Sequence, residues 1–63
     1  MDYKKMMHEI RKQKEIKFSD MARDIGVSVN TFREWREDGI VRELSRLKIE
    51  KYLEKMWRSM QEE

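Results

Sequence analysis

Four apolar residues near the start of the chain, Tyr3, Met6, Met7 and Ile10, fall at i, i+3, i+4 and i+7. That is one stripe at helical spacing, and it predicts a helix over about residues 2–15 with Asp2 as its N-cap. Lys4, Lys5, Arg11, Lys12 and Lys14 lie mostly off the stripe. Ile16 breaks the phase and marks a short connection that plugs the core. A second helix from about Ser19 to Ile25 turns Met21, Ala22 and Ile25 inward. Ser19 or Asp20 occupies its first turn, and Phe18 precedes it as a hydrophobic staple. Gly26 closes that helix, because a residue lacking Cβ takes positive φ at least cost.

Val27 then plugs the turn and Ser28 caps a third helix, roughly Val29 to Glu37. Phe32 and Trp35, three apart, face back toward Met21, Ala22 and Ile25. Val29, Asn30, Arg33, Glu34 and, near the end, Arg36 face outward. Asp38-Gly39 stops the helix as a turn pair. The last segment, about 41–61, carries Leu44, Leu47, Ile49, Tyr52, Leu53, Met56, Trp57 and Met60. From Ile49 onward, positions 49, 53, 56 and 60 trace a seam, with Tyr52 and Trp57 beside it.

The pattern implies an all-α fold, one compact domain over 1–63 with four (at most five) helices and a long C-terminal one. Two short helices around a tight turn occupy about 18–39. A chain of 63 residues buries only about 60% of its unfolded surface, so its stability is marginal without staples or a partner. Cysteine is absent, which excludes disulfides and thiolate metal sites, and His8 stands alone without a second metal ligand. No cofactor is expected. The final helix is longer than a small core requires, so Leu53, Met56, Trp57 and Met60 are the expected face of a homodimer.

Charge adds less than composition suggests. Charged residues make up 44% of the chain and the net charge is +2. Residues 1–17 hold six Lys/Arg against three acids, 18–39 hold three against five, and 40–63 hold six against five. The middle segment is therefore slightly acidic, and a basic footprint for nucleic acid rests on individual side chains rather than on bulk charge. No apolar run is long enough to span a membrane and the N-terminus lacks a signal-peptide pattern, so a cytoplasmic setting is expected.

Ile10-Arg11-Lys12, Met21-Ala22, Gly26-Val27-Ser28, Thr31-Phe32 and Trp35 together resemble the helix-turn-helix of the Cro/repressor type, the Xre family. The resemblance covers about Ile10 to Gly39. It implies sequence-specific binding of double-stranded DNA, with the second helix of the pair in the major groove. The implied base readers are Val29, Asn30, Arg33 and Glu34. Their chemistry agrees: Asn pairs with adenine, Arg with guanine, Glu accepts from cytosine, and Val touches a thymine methyl. Ser28 and Thr31 would meet phosphate, with Arg36, Arg42, Lys12 and Lys17 adding charge. The family often has Ser-Gln where this chain has Lys17-Phe18, and that glutamine commonly touches the DNA backbone. Phe18 cannot make that contact, and Lys17 stands as its replacement. The helix also ends one residue later than the family's usual Trp-Glu-Asn-Gly. A weaker resemblance runs from Phe18 to Val41, toward MerR or excisionase-type winged helices. These need a two-stranded wing, for which Arg42 to Lys48 has neither turn residues nor alternation.

The leading expectation is a small transcriptional regulator, a repressor of the phage, plasmid or mobile-element kind, acting by occupancy of a near-palindromic site. The alternatives are an antirepressor or adaptor that keeps the fold for protein interaction, and an excisionase-like architectural factor. No nucleophile–base pair, metal cluster or glycine-rich phosphate loop suggests an enzyme, and neither a membrane nor a small-molecule ligand is implied.

Overall fold

The first helix begins where the sequence supplies a cap. In the computed structural model, which describes residues 1–62, Asp2 accepts a hydrogen bond at 3.0 Å from the Lys5 amide and α1 runs Tyr3–Lys14. Three more helices follow: α2 (Phe18–Ile25), α3 (Val29–Arg36) and α4 (Glu43–Gln61). No strand occurs among the described residues, so the winged-helix alternative has no wing to stand on.

The first three helices stop in the same way. Glu15, Gly26 and Asp38 each take left-handed φ, at 55°, 95° and 61°. The amide after each of them reaches a carbonyl five residues back: Ile16 to Arg11 at 3.1 Å, Val27 to Ala22 at 3.1 Å and Gly39 to Glu34 at 2.7 Å. This satisfies carbonyls that a helix end leaves without partners. In the Asp38-Gly39 turn pair the left-handed residue is Asp38. One sequence expectation shifts. The second helix starts at Phe18, one residue before Ser19, with Lys17 in the cap position and no side-chain cap bond. Phe18 is thus the first helical residue instead of a staple outside it.

The core is Met6, Met7, Ile10, Met21, Ala22, Phe32, Trp35, Ile49 and Leu53, with no buried polar side chain among the described residues. Each helix contributes its predicted stripe. Ala22 is fully buried, as suits a small residue where helices cross at close range. Val29 departs from expectation: the first residue of α3 is half-buried and packs against the core instead of facing outward.

The distal half of α4 also differs. Met56, Trp57 and Met60 are half-buried and pack against the core, and Leu53 has no exposed surface. The cover is α1, which pairs more extensively with α4 than any other helix does. It reaches from Tyr3, close to Glu50 and Glu54, to Gln13, beside Trp57 and Met60. The stripe expected to lie open is therefore largely closed from within the chain. Besides Met1 at the chain start, the large apolar side chains exposed among the described residues are instead Ile40 (98%), Leu44 (73%) and Leu47. At about 100° per residue, Leu44 lies half a turn from Leu53, on the face away from the core.

Packing around α4 also sets the tyrosines, Tyr3 from α1 and Tyr52 on α4 itself. Burial, then the Glu54 carboxylate and a hydrogen bond to it, then Glu50, raise the Tyr3 pKa above its ordinary value. Burial, followed by Asp24, does the same for Tyr52.

Candidate nucleic-acid interface

The geometry of α3 follows from its cap. Ser28 Oγ accepts from the Thr31 amide at 3.0 Å and donates to Thr31 Oγ1 at 2.9 Å. The helix start is thereby fixed, and its remaining free amides point outward from the end that favours anions. Phe32 and Trp35 anchor the inward side: Phe18 stacks on Phe32 at 4.4 Å, and Phe32 lies 5.7 Å from Trp35. With these rings turned inward, Asn30, Arg33 and Glu34 must project to solvent, and all three are exposed.

Asn30 and Arg33 are not independent. Arg33 Nη1 donates to Asn30 Oδ1 at 2.9 Å, one turn apart on the helix. The amide oxygen holds the guanidinium, and the Asn30 NH₂ group remains available as a donor. Glu34 folds differently. Its carboxylate lies against Gly39, so close that a Cβ on residue 39 would collide with Glu34 Oε2.

The other residues expected to meet DNA divide into two sets. Thr31 and Arg42 line one groove with Asn30, Glu34 and Ile40, and Ser28 joins this set through its bond to Thr31. Lys12 and Lys17 belong to another groove, shared with His8, Arg11, Glu15 and Ile16. Arg36, at the end of α3, lies over the Phe18 ring at 4.6 Å, and Arg11 over the same ring at 5.3 Å. Sequence reasoning gave Arg11 no contact with the motif helices. Its place one residue after the core position Ile10 cannot reveal a partner on another helix.

The acids of residues 18–39 are largely turned away or paired. Arg23 Nη2 bonds Asp20 at 2.7 Å, Lys4 of α1 pairs with Asp38, and Asp24 lies near Tyr52 of α4. Glu37 is exposed at the C-cap of α3, the end opposite the Ser28 cap. Exposed pairs of this kind contribute little stability, about 0–1 kcal/mol, yet they fix where the negative charge sits. Among the described residues no cluster of three His, Asp or Glu side chains is placed to hold a metal ion. No helix is long and apolar enough to cross a membrane among those residues either.

A family model described as the Cro/C1-type HTH DNA-binding domain matches residues 6–54. That span contains α2, α3 and their turn, most of α1, and α4 as far as the residue after the buried Leu53. No curated protein and no solved structure matches the chain.

Proposed function

Because the chain belongs to the Cro/C1-type helix-turn-helix DNA-binding family, we propose that it is a sequence-specific transcriptional regulator, a repressor of the small phage or plasmid kind. It works by occupying double-stranded DNA, with α3 in the major groove and no chemistry performed. The observation that carries this reading is the exposed Asn30–Arg33 pair on a capped, core-anchored helix. A guanidinium held by a neighbouring amide is pre-set for bidentate donation to guanine, and the free Asn30 NH₂ can donate to an adjacent acceptor. Glu34 joins them when its carboxylate swings off Gly39 toward the groove. Val29, being half-buried, offers only the edge of its side chain to a thymine methyl. Ser28, Thr31, Lys12, Lys17, Arg36 and Arg42 meet phosphates.

The regulator binds as a homodimer through α4, so that two reading helices meet half-sites about 34–36 Å apart. Ile40, just before α4, and Leu44 and Leu47 on its outer face supply the apolar surface of that contact. Leu44→Glu leaves the core intact and separates this arrangement from a monomer. Sedimentation showing monomer mass for the parent chain as well would remove the dimer.

The decisive experiment is selection of bound sequences from a random duplex pool, followed by Arg33→Ala and Lys12→Ala. Loss of Arg33 should relax preference at one base position, worth about 1–3 kcal/mol, whereas loss of Lys12 should weaken all duplexes alike and flatten the salt slope. Equal losses on selected and random DNA for both variants would refute Arg33 as a reader. An antirepressor or adaptor would show no salt-dependent duplex binding at all.

A further inference from the structure

Phe18 is the residue at which the motif departs from a polar backbone anchor, and its surroundings give it another role. Its ring is half-buried, locked by stacking on the fully buried Phe32 with an interplanar angle of 12°. Two guanidinium groups from different helices lie over that one ring: Arg36 of α3 at 4.6 Å and Arg11 of α1 at 5.3 Å. Arg11 is held further by a hydrogen bond from its Nε to the Ile16 carbonyl at 3.2 Å. Neither arginine has a carboxylate partner among the described residues.

Two cations within 5.3 Å of one centroid are about 10 Å apart at most, comparable to the Debye length at about 0.1 M salt. Their repulsion is offset by the face of the ring, whose quadrupole attracts both, and would be relieved by an anion placed between them. Lys12 and Lys17 stand exposed in the adjoining groove, with Glu15 the acid there. Arg36 follows Arg33 by three residues, so the two share a side of α3, and the cluster borders the reading face.

We propose that Phe18 is a positioning residue for DNA-backbone binding: its ring holds Arg36 and Arg11 where they clamp one or two phosphates beside the groove read by α3. The inference rests on the DNA-binding reading and gives that reading its backbone anchor. An aromatic ring thus acts through the arginines it arrays, and the contact is made without a polar side chain at position 18.

The test is duplex binding between about 50 and 200 mM salt, using a mixed-sequence DNA of two helical turns, with thermal melting of each variant as the folding control. Phe18→Leu keeps an apolar side chain over Phe32 but removes the π face; Phe18→Tyr keeps the face. The leucine variant should lower the magnitude of the log–log salt slope by about 0.9 for each arginine released and weaken binding about two- to fivefold per arginine. The tyrosine variant should match the parent in slope. Arg36→Gln should lower the slope in the parent and change it little further when combined with Phe18→Leu. An unchanged slope in a folded Phe18→Leu chain overturns the proposal, as does an equal effect of Arg36→Gln in both backgrounds. If Phe18→Leu does not fold, the surface double variant Arg11→Gln/Arg36→Gln decides, and an unchanged slope there is equally fatal. Failure of the parent chain to bind duplex at low salt is a different result: it overturns the DNA-binding reading, and the clamp with it.

Discussion

Gly26→Ala isolates the cost of the turn between the two motif helices. Gly26 sits at φ 95°, ψ 30°, and a Cβ added there would meet nothing within 4 Å. Sterics with neighbours therefore contribute nothing, and the whole penalty is the left-handed backbone. That penalty is about 1–2 kcal/mol for a residue with a Cβ, offset by about 0.4–1 kcal/mol because alanine restricts the unfolded chain. A net loss of about 1 kcal/mol is expected. For a 63-residue chain a total stability of roughly 3–9 kcal/mol follows from the usual per-residue range, so the loss is appreciable. It should lower the melting temperature by about 4–8 °C. Gly26→Asn should cost less than Gly26→Ala, since asparagine tolerates this region better. The reciprocal change, Glu15→Gly, removes a Cβ from a residue at φ 55° and should stabilise or leave the fold unchanged. Melting followed by circular dichroism reads all three. If Gly26→Ala melts with the parent, or if Gly26→Asn is the more damaging, the turn is not held by its backbone conformation and the reasoning is wrong.

Two further predictions concern α4 and its partner α1. Leu53→Ala should cost about 2–5 kcal/mol, because truncating a fully buried leucine leaves a cavity. Leu44→Ala, largely exposed, should change monomer stability by less than about 0.5 kcal/mol. Denaturant titration at low concentration compares them, and similar losses would refute the assignment of faces. Stability should also fall as pH rises above about 10. Tyr3 and Tyr52 hold their protons more tightly folded than unfolded, so their share of stability is complete below the unfolded value and is lost as pH climbs through the raised folded one. Tyr3→Phe should make that decline shallower, and an identical pH dependence of melting in the two chains would contradict the placement of Tyr3 beside Glu54.

Periodicity made the inward residues legible: the stripes through Met6, Met7 and Ile10, through Met21 and Ala22, and through Ile49 and Leu53 are the core. Caps at Asp2 and Ser28 were legible too, because their chemistry is local. The misreadings all involve partners beyond the local pattern. Whether Trp57 and Met60 lie open depends on where α1 passes, and a stripe on one helix does not say which other helix covers it. Val29 occupies the first turn of a short helix, where the entering chain and the core edge decide its exposure rather than its phase. The surroundings of Phe18 were not legible either, because the arginines over its ring come from α1 and from the far end of α3.

The acidic balance of residues 18–39 is the feature most at odds with DNA binding, and its resolution yields the sharpest remaining prediction. Asp20 and Asp38 are paired, Asp24 lies toward Tyr52, and Glu37 sits at the far end of α3. Glu34 is then the acid that stands next to Arg33 on the exposed side of the reading helix. A carboxylate there repels phosphate on every duplex, a cost that only a specific contact offsets, such as acceptance from a cytosine amino group. Glu34→Gln should therefore separate two quantities. Binding to random duplex should strengthen, because one negative charge leaves the interface, while preference at one base pair should weaken by about 1–3 kcal/mol. Both are read from the same competition experiment at fixed salt. A variant that strengthens binding to selected and random DNA alike would show that Glu34 reads nothing, and would leave sequence discrimination to the Asn30–Arg33 pair.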